Sequence, residues 1–148
     1  MRVLLQRVAR ASVTVRGDRV AEIGAGLLLL VGVGREDGEE DVERLAAKIA
    51  VLRIFEDADG KMNRSLADVD GEILVVPQFT LFGDVARGRR PSWDAAAPPE
   101  IAAERVEAFA RALEEQGATV RRGAFREHME VELVNDGPVT LWLDAAAR

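Results

Sequence analysis

The sequence predicts an α+β domain, one mixed or antiparallel sheet with flanking helices, and three observations carry that prediction. Segments with a two-residue apolar period stand near both ends of the chain, Ser12 to Arg16 and His128 to Val134, the pattern of strands buried on one face. Two stretches repeat apolar residues at helical spacing, Val42-Leu45-Ala46-Ile49-Leu52 and Val106-Phe109-Ala110-Leu113. Between them Ile73 to Val76 forms a continuous apolar run, as in a strand covered on both faces. The 148 residues fit a single domain, 1–148, able to bury about 68–70% of the surface an unfolded chain exposes.

In order, Val3 to Val8 and Ser12 to Arg16 read as two strands, Gly17-Asp18 as a turn, and Arg19 to Ile23 as a third strand. Gly24-Ala25-Gly26 turns the chain into Leu27 to Val33, completing a β meander. Arg7 shares a face with Val3 and Leu5, an unusual place for a cation. A helix opens at Gly38, where Glu39, Glu40 and Asp41 suit the positive end of its dipole. Glu56 to Lys61 lacks the alternating ligands and closing glutamate of a calcium loop and reads as a turn. Gly83 to Asp94, with Arg87, Arg89, Arg90 and Pro91, reads as a surface loop. Pro98-Pro99-Glu100 starts the second helix and Gly117 ends it. Strands at Thr119 to Gly123, His128 to Val134 and Val139 to Leu143 close the chain, the last two separated by the turn residues Asn135-Asp136-Gly137-Pro138.

Composition excludes several chemistries. There is no cysteine and one histidine, His128, so no disulfide, thiolate nucleophile or two-histidine metal motif is available. No metal site and no cofactor are expected. Leu27 to Val33 is too short to span a bilayer, and no long apolar run follows the basic residue at the N-terminus; the expectation is a soluble cytoplasmic protein. A net charge of −6 argues against non-specific affinity for nucleic acid. Only Lys48 and Lys61 are lysines, so eighteen of the twenty cations are arginine. Some cluster: Arg87, Arg89 and Arg90, then Arg121, Arg122 and Arg126. Guanidinium forks pair bidentately with phosphate, so one basic rim on an acidic protein is possible.

The stretch after Val76 is where chemistry is expected. Pro77, Gln78 and Thr80 interrupt an apolar segment, and burying an amide or hydroxyl without a partner costs about 1–3 kcal/mol. Either a core strand ends in a bend there, or the strand end forms the wall of a pocket. Gly137-Pro138 is the second unusual stretch: a cis X-Pro bond costs only about 0.5–1 kcal/mol, and glycine leaves both carbonyls free to face a ligand.

Met1 to Val8, Leu52 to Asp57, Gly60 to Asn63, Gln78-Phe79-Thr80-Leu81, Gly88 to Ser92 and Asn135 to Thr140 together resemble the D-aminoacyl-tRNA deacylase family across essentially the whole chain. The resemblance implies a partly barrel-like sheet in a homodimer with active sites at the subunit interface. It implies hydrolysis of the ester between a D-amino acid, or glycine mischarged on tRNA-Ala, and the 3′-terminal adenosine of tRNA, with the L-aminoacyl ester spared. Gln78, Phe79 and Thr80 would form the catalytic turn. Gly137-Pro138 would be cis and would enter the partner's pocket as a chiral filter. Gln6, Arg7, Pro77 and Met129 would support the site, Arg7 by bracing the Gly-Pro pair and Met129 by lining the pocket. Arg87, Arg89 and Arg90 would meet tRNA phosphates. The family usually has serine at position 77; Pro77 offers neither hydroxyl nor amide hydrogen.

An aminoacyl ester is activated, so a positioned carbonyl, an oxyanion site and water suffice. The Phe79 and Thr80 amides are expected to receive the oxyanion, Thr80 to orient rather than attack, and the substrate's 2′-hydroxyl to assist water. A non-catalytic tRNA-binding dimer, a small-molecule binding dimer and an esterase with a Thr80–His128 dyad stand as rivals.

Overall fold

The computed structural model describes residues 1–147. Eight strands and two helices run β1 (Arg2–Val15), β2 (Asp18–Ile23), β3 (Gly26–Gly32), α1 (Glu39–Val51), β4 (Phe55–Glu56), β5 (Met62–Arg64), β6 (Glu72–Pro77), α2 (Pro99–Glu115), β7 (Thr119–Arg122) and β8 (Glu130–Asp144). The main sheet is ordered β2-β1-β3-β6-β7, with β8 paired to β1. Its β3–β6 and β6–β7 pairs are parallel and the others antiparallel. Contacts of β2 with β6 and β7 curl it into a nearly closed barrel. The α+β reading therefore holds. No helix is long and apolar enough to cross a membrane among the described residues.

The structure departs from the sequence reading in several strands: β1 lies between β2 and β3, so the N-terminal strands are not the expected meander, and the unexpected short pair β4–β5 flanks the turn read at Glu56 to Lys61. The two predicted N-terminal strands are one, β1, because a bulge near Ala9 and Arg10 breaks the alternation without ending the strand. Val3 and Leu5 face the core under the helices, whereas Ala11, Val13 and Val15 face the barrel interior. The bulge exchanges faces, since one extra residue reverses every side chain beyond it. Likewise His128 to Val134 and Val139 to Leu143 belong to one strand: β8 begins at Glu130 and passes through Asn135 to Pro138 as a wide bulge instead of a hairpin turn.

The strands β3 and β6 are buried on both faces. Leu27, Leu29 and Val31, with Ile73 and Val75, pack under α1 and α2, while Leu28, Leu74 and Val76 fill the barrel. At roughly 1.5–3 kcal/mol per fully buried aliphatic side chain, this pair is the best-anchored part of the fold. Its carboxyl ends are therefore a rigid base for a site.

Candidate active site

A pocket of about 720 Å³ opens at the carboxyl ends of β3 and β6, where ligands of parallel strands commonly sit. It is lined by Val31, Val76 and Pro77 at the strand ends, by Ala102 and Val106 of α2, and by Phe125 to Met129 of the β7–β8 connection. Gln78, Phe79 and Trp93 stand at its rim. Pro77 ends the strand because it cannot donate to a ladder. The last sheet link is the Gln78 amide, which donates to the Val31 carbonyl at 2.8 Å.

Residues Phe79–Phe82 then form a 3-10 turn, closed by Leu81 N–H to the Gln78 carbonyl at 3.3 Å and Gly83 N–H to the Thr80 carbonyl at 3.0 Å. Gly32 lets the turn lie against β3: a Cβ there would stand 2.9 Å from the Gln78 carbonyl oxygen and 3.1 Å from Leu81 Cβ. The Phe79 and Thr80 amides open the turn and, like the first amides of any helical segment, have no acceptor within it. The Thr80 hydroxyl accepts a hydrogen bond from Gln78 Nε2, which leaves its own proton available to another acceptor. Phe79 is exposed and meets Trp93 edge to face at 5.1 Å. Arg2 ties down the far side of the turn: its Nη1 donates to the Leu81 carbonyl at 2.9 Å, and its guanidinium lies 4.4 Å from the Phe82 ring centre.

The second locus is the β8 bulge. Gln6 pairs with Thr140 and Val8 with Asn135, so Asp136 to Val139 arch out opposite Arg7. The Gly137-Pro138 peptide is cis, and both residues are exposed. Arg7, at 5% exposure, holds the base of the arch. Its Nε donates to the Asp136 carbonyl at 2.9 Å and lies 3.2 Å from the Asp136 carboxylate, while Nη1 donates to the Ile54 carbonyl at 2.6 Å. Asn135 spans the bulge, Nδ2 donating to the Arg7 and Val139 carbonyls at 2.9 and 3.0 Å. Gln6 Nε2 donates to the Thr140 hydroxyl at 3.2 Å.

The structure thus gathers Pro77, Gln78, Phe79 and Met129 at the pocket, and Gln6, Arg7, Gly137 and Pro138 at the bulge; within one chain the two groups do not line a common cavity. Thr80 sits behind the rim and is not among the lining residues. Arg87, Arg89 and Arg90 are exposed in the loop that Asp84 and Ser92 clamp with amide–carbonyl bonds of 2.8 and 2.9 Å, and none forms an ion pair among the described residues. The cluster Arg121, Arg122 and Arg126 is not one basic surface. Arg122 is held between Glu107 and Glu114, which raise its affinity for its proton, and Arg121 leans on Glu72 at 3.9 Å. His128 lines the pocket, a placement sequence spacing did not give; no hydrogen bond joins it to Thr80 among the described residues. Asn135, Trp93 and Arg2 were missed, because each acts on residues distant in sequence.

Residues 4–144 match the family described as D-Tyr-tRNA(Tyr) deacylase. A D-aminoacyl-tRNA deacylase of Heliobacterium modesticaldum is 58% identical over 97% of this chain and 96% of its own length. One of Thermomicrobium roseum is 60% identical over 99% and 95%. A solved structure titled c-Myc DNA unwinding element binding protein superposes with a TM-score of 0.90 at 39% identity, covering 97% of this chain and 98% of the other. Another, of a probable eukaryotic D-amino acid tRNA deacylase, has a TM-score of 0.84 at 17% identity, covering 96% and 97%, a likeness of fold. With residues 4–144 matched to that family and relatives 58–60% identical over 97–99% of its length, the chain belongs to the D-Tyr-tRNA(Tyr) deacylase family.

Proposed function

We propose that this protein hydrolyses the ester joining a D-amino acid to the 3′-terminal adenosine of tRNA and spares the L-aminoacyl ester. The names of its relatives support the reaction class, and one observation carries the mechanism: the amide of Phe79 at the pocket and that of Thr80 next to it have no acceptor within the turn they open, which is locked to β3. The ester carbonyl faces these amides, whose hydrogen bonds strengthen as negative charge develops on its oxygen. Water attacks the carbonyl carbon with the ribose 2′-hydroxyl assisting. The bond from that carbon to the ribose 3′-oxygen breaks, and the oxygen takes up the proton, releasing free D-amino acid and tRNA. Thr80, its hydroxyl set by Gln78, orients the attacking group. Position 77 supplies no side-chain nucleophile, and none is required.

The exposed Gly137-Pro138 arch supplies selection by entering the pocket of a second copy in a homodimer. Its carbonyls accept the α-amino group and collide with a side chain of L configuration. Glycine has no side chain to exclude, so glycyl-tRNA(Ala) is also cleaved. Arg87, Arg89 and Arg90 hold the acceptor end of tRNA through phosphates, making binding steeply salt-dependent.

Hydrolysis of matched D-tyrosyl-, L-tyrosyl- and glycyl-tRNA, with and without a chelator, tests the reading. Release from the D and glycyl substrates alone is expected in both conditions. Retention of tRNA by the folded protein without release from any substrate would instead establish a non-catalytic tRNA-binding dimer. Loss of D-tyrosyl-tRNA hydrolysis in His128→Ala, together with turnover of simple esters by the parent protein, would favour a Thr80–His128 esterase.

A further inference from the structure

We infer that Arg35 and Arg126 form a phosphate-binding subsite at the pocket, taking the phosphodiester on the 5′ side of the substrate's terminal nucleoside. This rests on the hydrolase reading above and concerns a part of the substrate remote from the ester.

The argument begins with charge. The protein is acidic, and nine of the seventeen arginines among the described residues lie within ion-pair distance of a carboxylate. Arg35 and Arg126 line the pocket and are not among those nine. The one acidic side chain in the lining, Glu127, is taken by Arg16 at 2.7 Å. The pocket therefore carries two uncompensated guanidinium groups between largely apolar walls. Such walls suit the uncharged nucleoside and an apolar side chain, and they leave the cations as the partners for an anion attached to the nucleoside.

Each arginine is also placed in an uncommon way. Arg126 has φ of 63°, a left-handed conformation natural to glycine and unfavourable for a long side chain. A guanidinium is kept at a position whose backbone favours its absence. Arg35 Nε donates to the Asp94 carbonyl at 2.5 Å. That bond fixes the fork and leaves both terminal nitrogens for a second partner. The two residues reach the pocket from different segments, Arg35 from beyond β3 and Arg126 from the β7–β8 connection.

The test uses binding and turnover separately. Calorimetric titration of the intact protein with adenosine 5′-monophosphate and with adenosine should show at least about a fivefold preference for the phosphate-bearing probe, weakening with salt. In the double variant Arg35→Gln/Arg126→Gly the preference should vanish; glycine suits the backbone at 126, and Arg126→Gly alone serves if the double variant unfolds. In turnover, the ratio of kcat/KM for D-tyrosyl-tRNA over D-tyrosyl-adenosine should fall about tenfold in the double variant. The salt slope for the tRNA substrate should shrink by about 0.7 per lost contact, the value for single strands. No preference in the parent protein, or a preference that survives both substitutions, would overturn the subsite. Failure of the parent to cleave either ester while the nucleotide preference remains would count against the hydrolase reading and leave the anion site standing.

Discussion

Replacing Arg7 with methionine probes whether the β8 bulge is held by its neighbours or by this one side chain. Methionine keeps the apolar stem and removes the fork, so the Ile54 and Asp136 carbonyls each lose a charged donor, at 2.6 and 2.9 Å. Hydrogen bonds to charged groups contribute about 1.5–3 kcal/mol each. The Asp136 and Glu56 carboxylates near Arg7 are 57% exposed, so their ion pairs add little. Arg7 itself is 5% exposed, and loss of its two carbonyl bonds in Arg7→Met should cost about 3–5 kcal/mol. At roughly 2–4 °C per kcal/mol for a chain of this size, Tm should fall by about 6–20 °C. Arg7→Lys places one nitrogen where two separated carbonyls need donors, and it should recover about half. Urea unfolding at fixed protein concentration, with the slope m compared between variants, is the assay. A methionine variant within about 1 kcal/mol of the parent at equal m would refute the argument, because the carbonyls would then be satisfied without Arg7.

Three further outcomes are expected. Gly137→Ala puts a Cβ 2.5 Å from the Val139 amide nitrogen and against the Asn135 side chain. It should cost about 1–3 kcal/mol and abolish discrimination between D- and L-tyrosyl-tRNA, read by unfolding and by paired hydrolysis assays. Pro77→Ser restores a hydroxyl at the pocket lining, and kcat/KM for D-tyrosyl-tRNA should stay within about threefold; a tenfold gain would give that hydroxyl a direct role. Arg122→Gln removes the hydrogen bonds that hold the Glu114 carboxyl below its ordinary 4.5. A depressed carboxyl stabilises the fold above its unfolded value and ceases to as pH falls through its folded value. The stability gap between parent and variant, measured by urea midpoints at pH 6 and 3.5, should therefore close on acidification.

The readable parts of this fold were those fixed by local pattern. Ile73 to Val76 is covered on both faces as its uninterrupted apolar run required, and both helices start where acidic residues or paired prolines place them. The polar break after Val76 marked the pocket, which Pro77 and Gln78 line, while the Gln78 and Thr80 side chains partner each other and Thr80 stays outside the lining. What escaped depends on partners far along the chain. Ala9 and Arg10 look like a strand end until β8 is seen to continue alongside them, and Asn135 to Pro138 have hairpin composition but stand opposite Arg7, more than a hundred positions earlier. Arg122 and Arg126 are near neighbours in sequence, yet one is consumed by two glutamates and the other faces the pocket.

The pairing of β1 with β8 has a consequence for synthesis. During translation the first strand emerges with β2 and β3 close behind, but its other edge has no partner until the last strand arrives. Contacts of such long sequence separation form slowly, and an unpaired edge invites association with other chains. Arg7 also waits, its guanidinium facing an apolar interior with Ile54 present and Asp136 still to come. The arch bearing Gly137 and Pro138 is thus assembled among the last of these features, and a ribosome that stalls before it would leave a nascent chain with its sheet open and the arch missing.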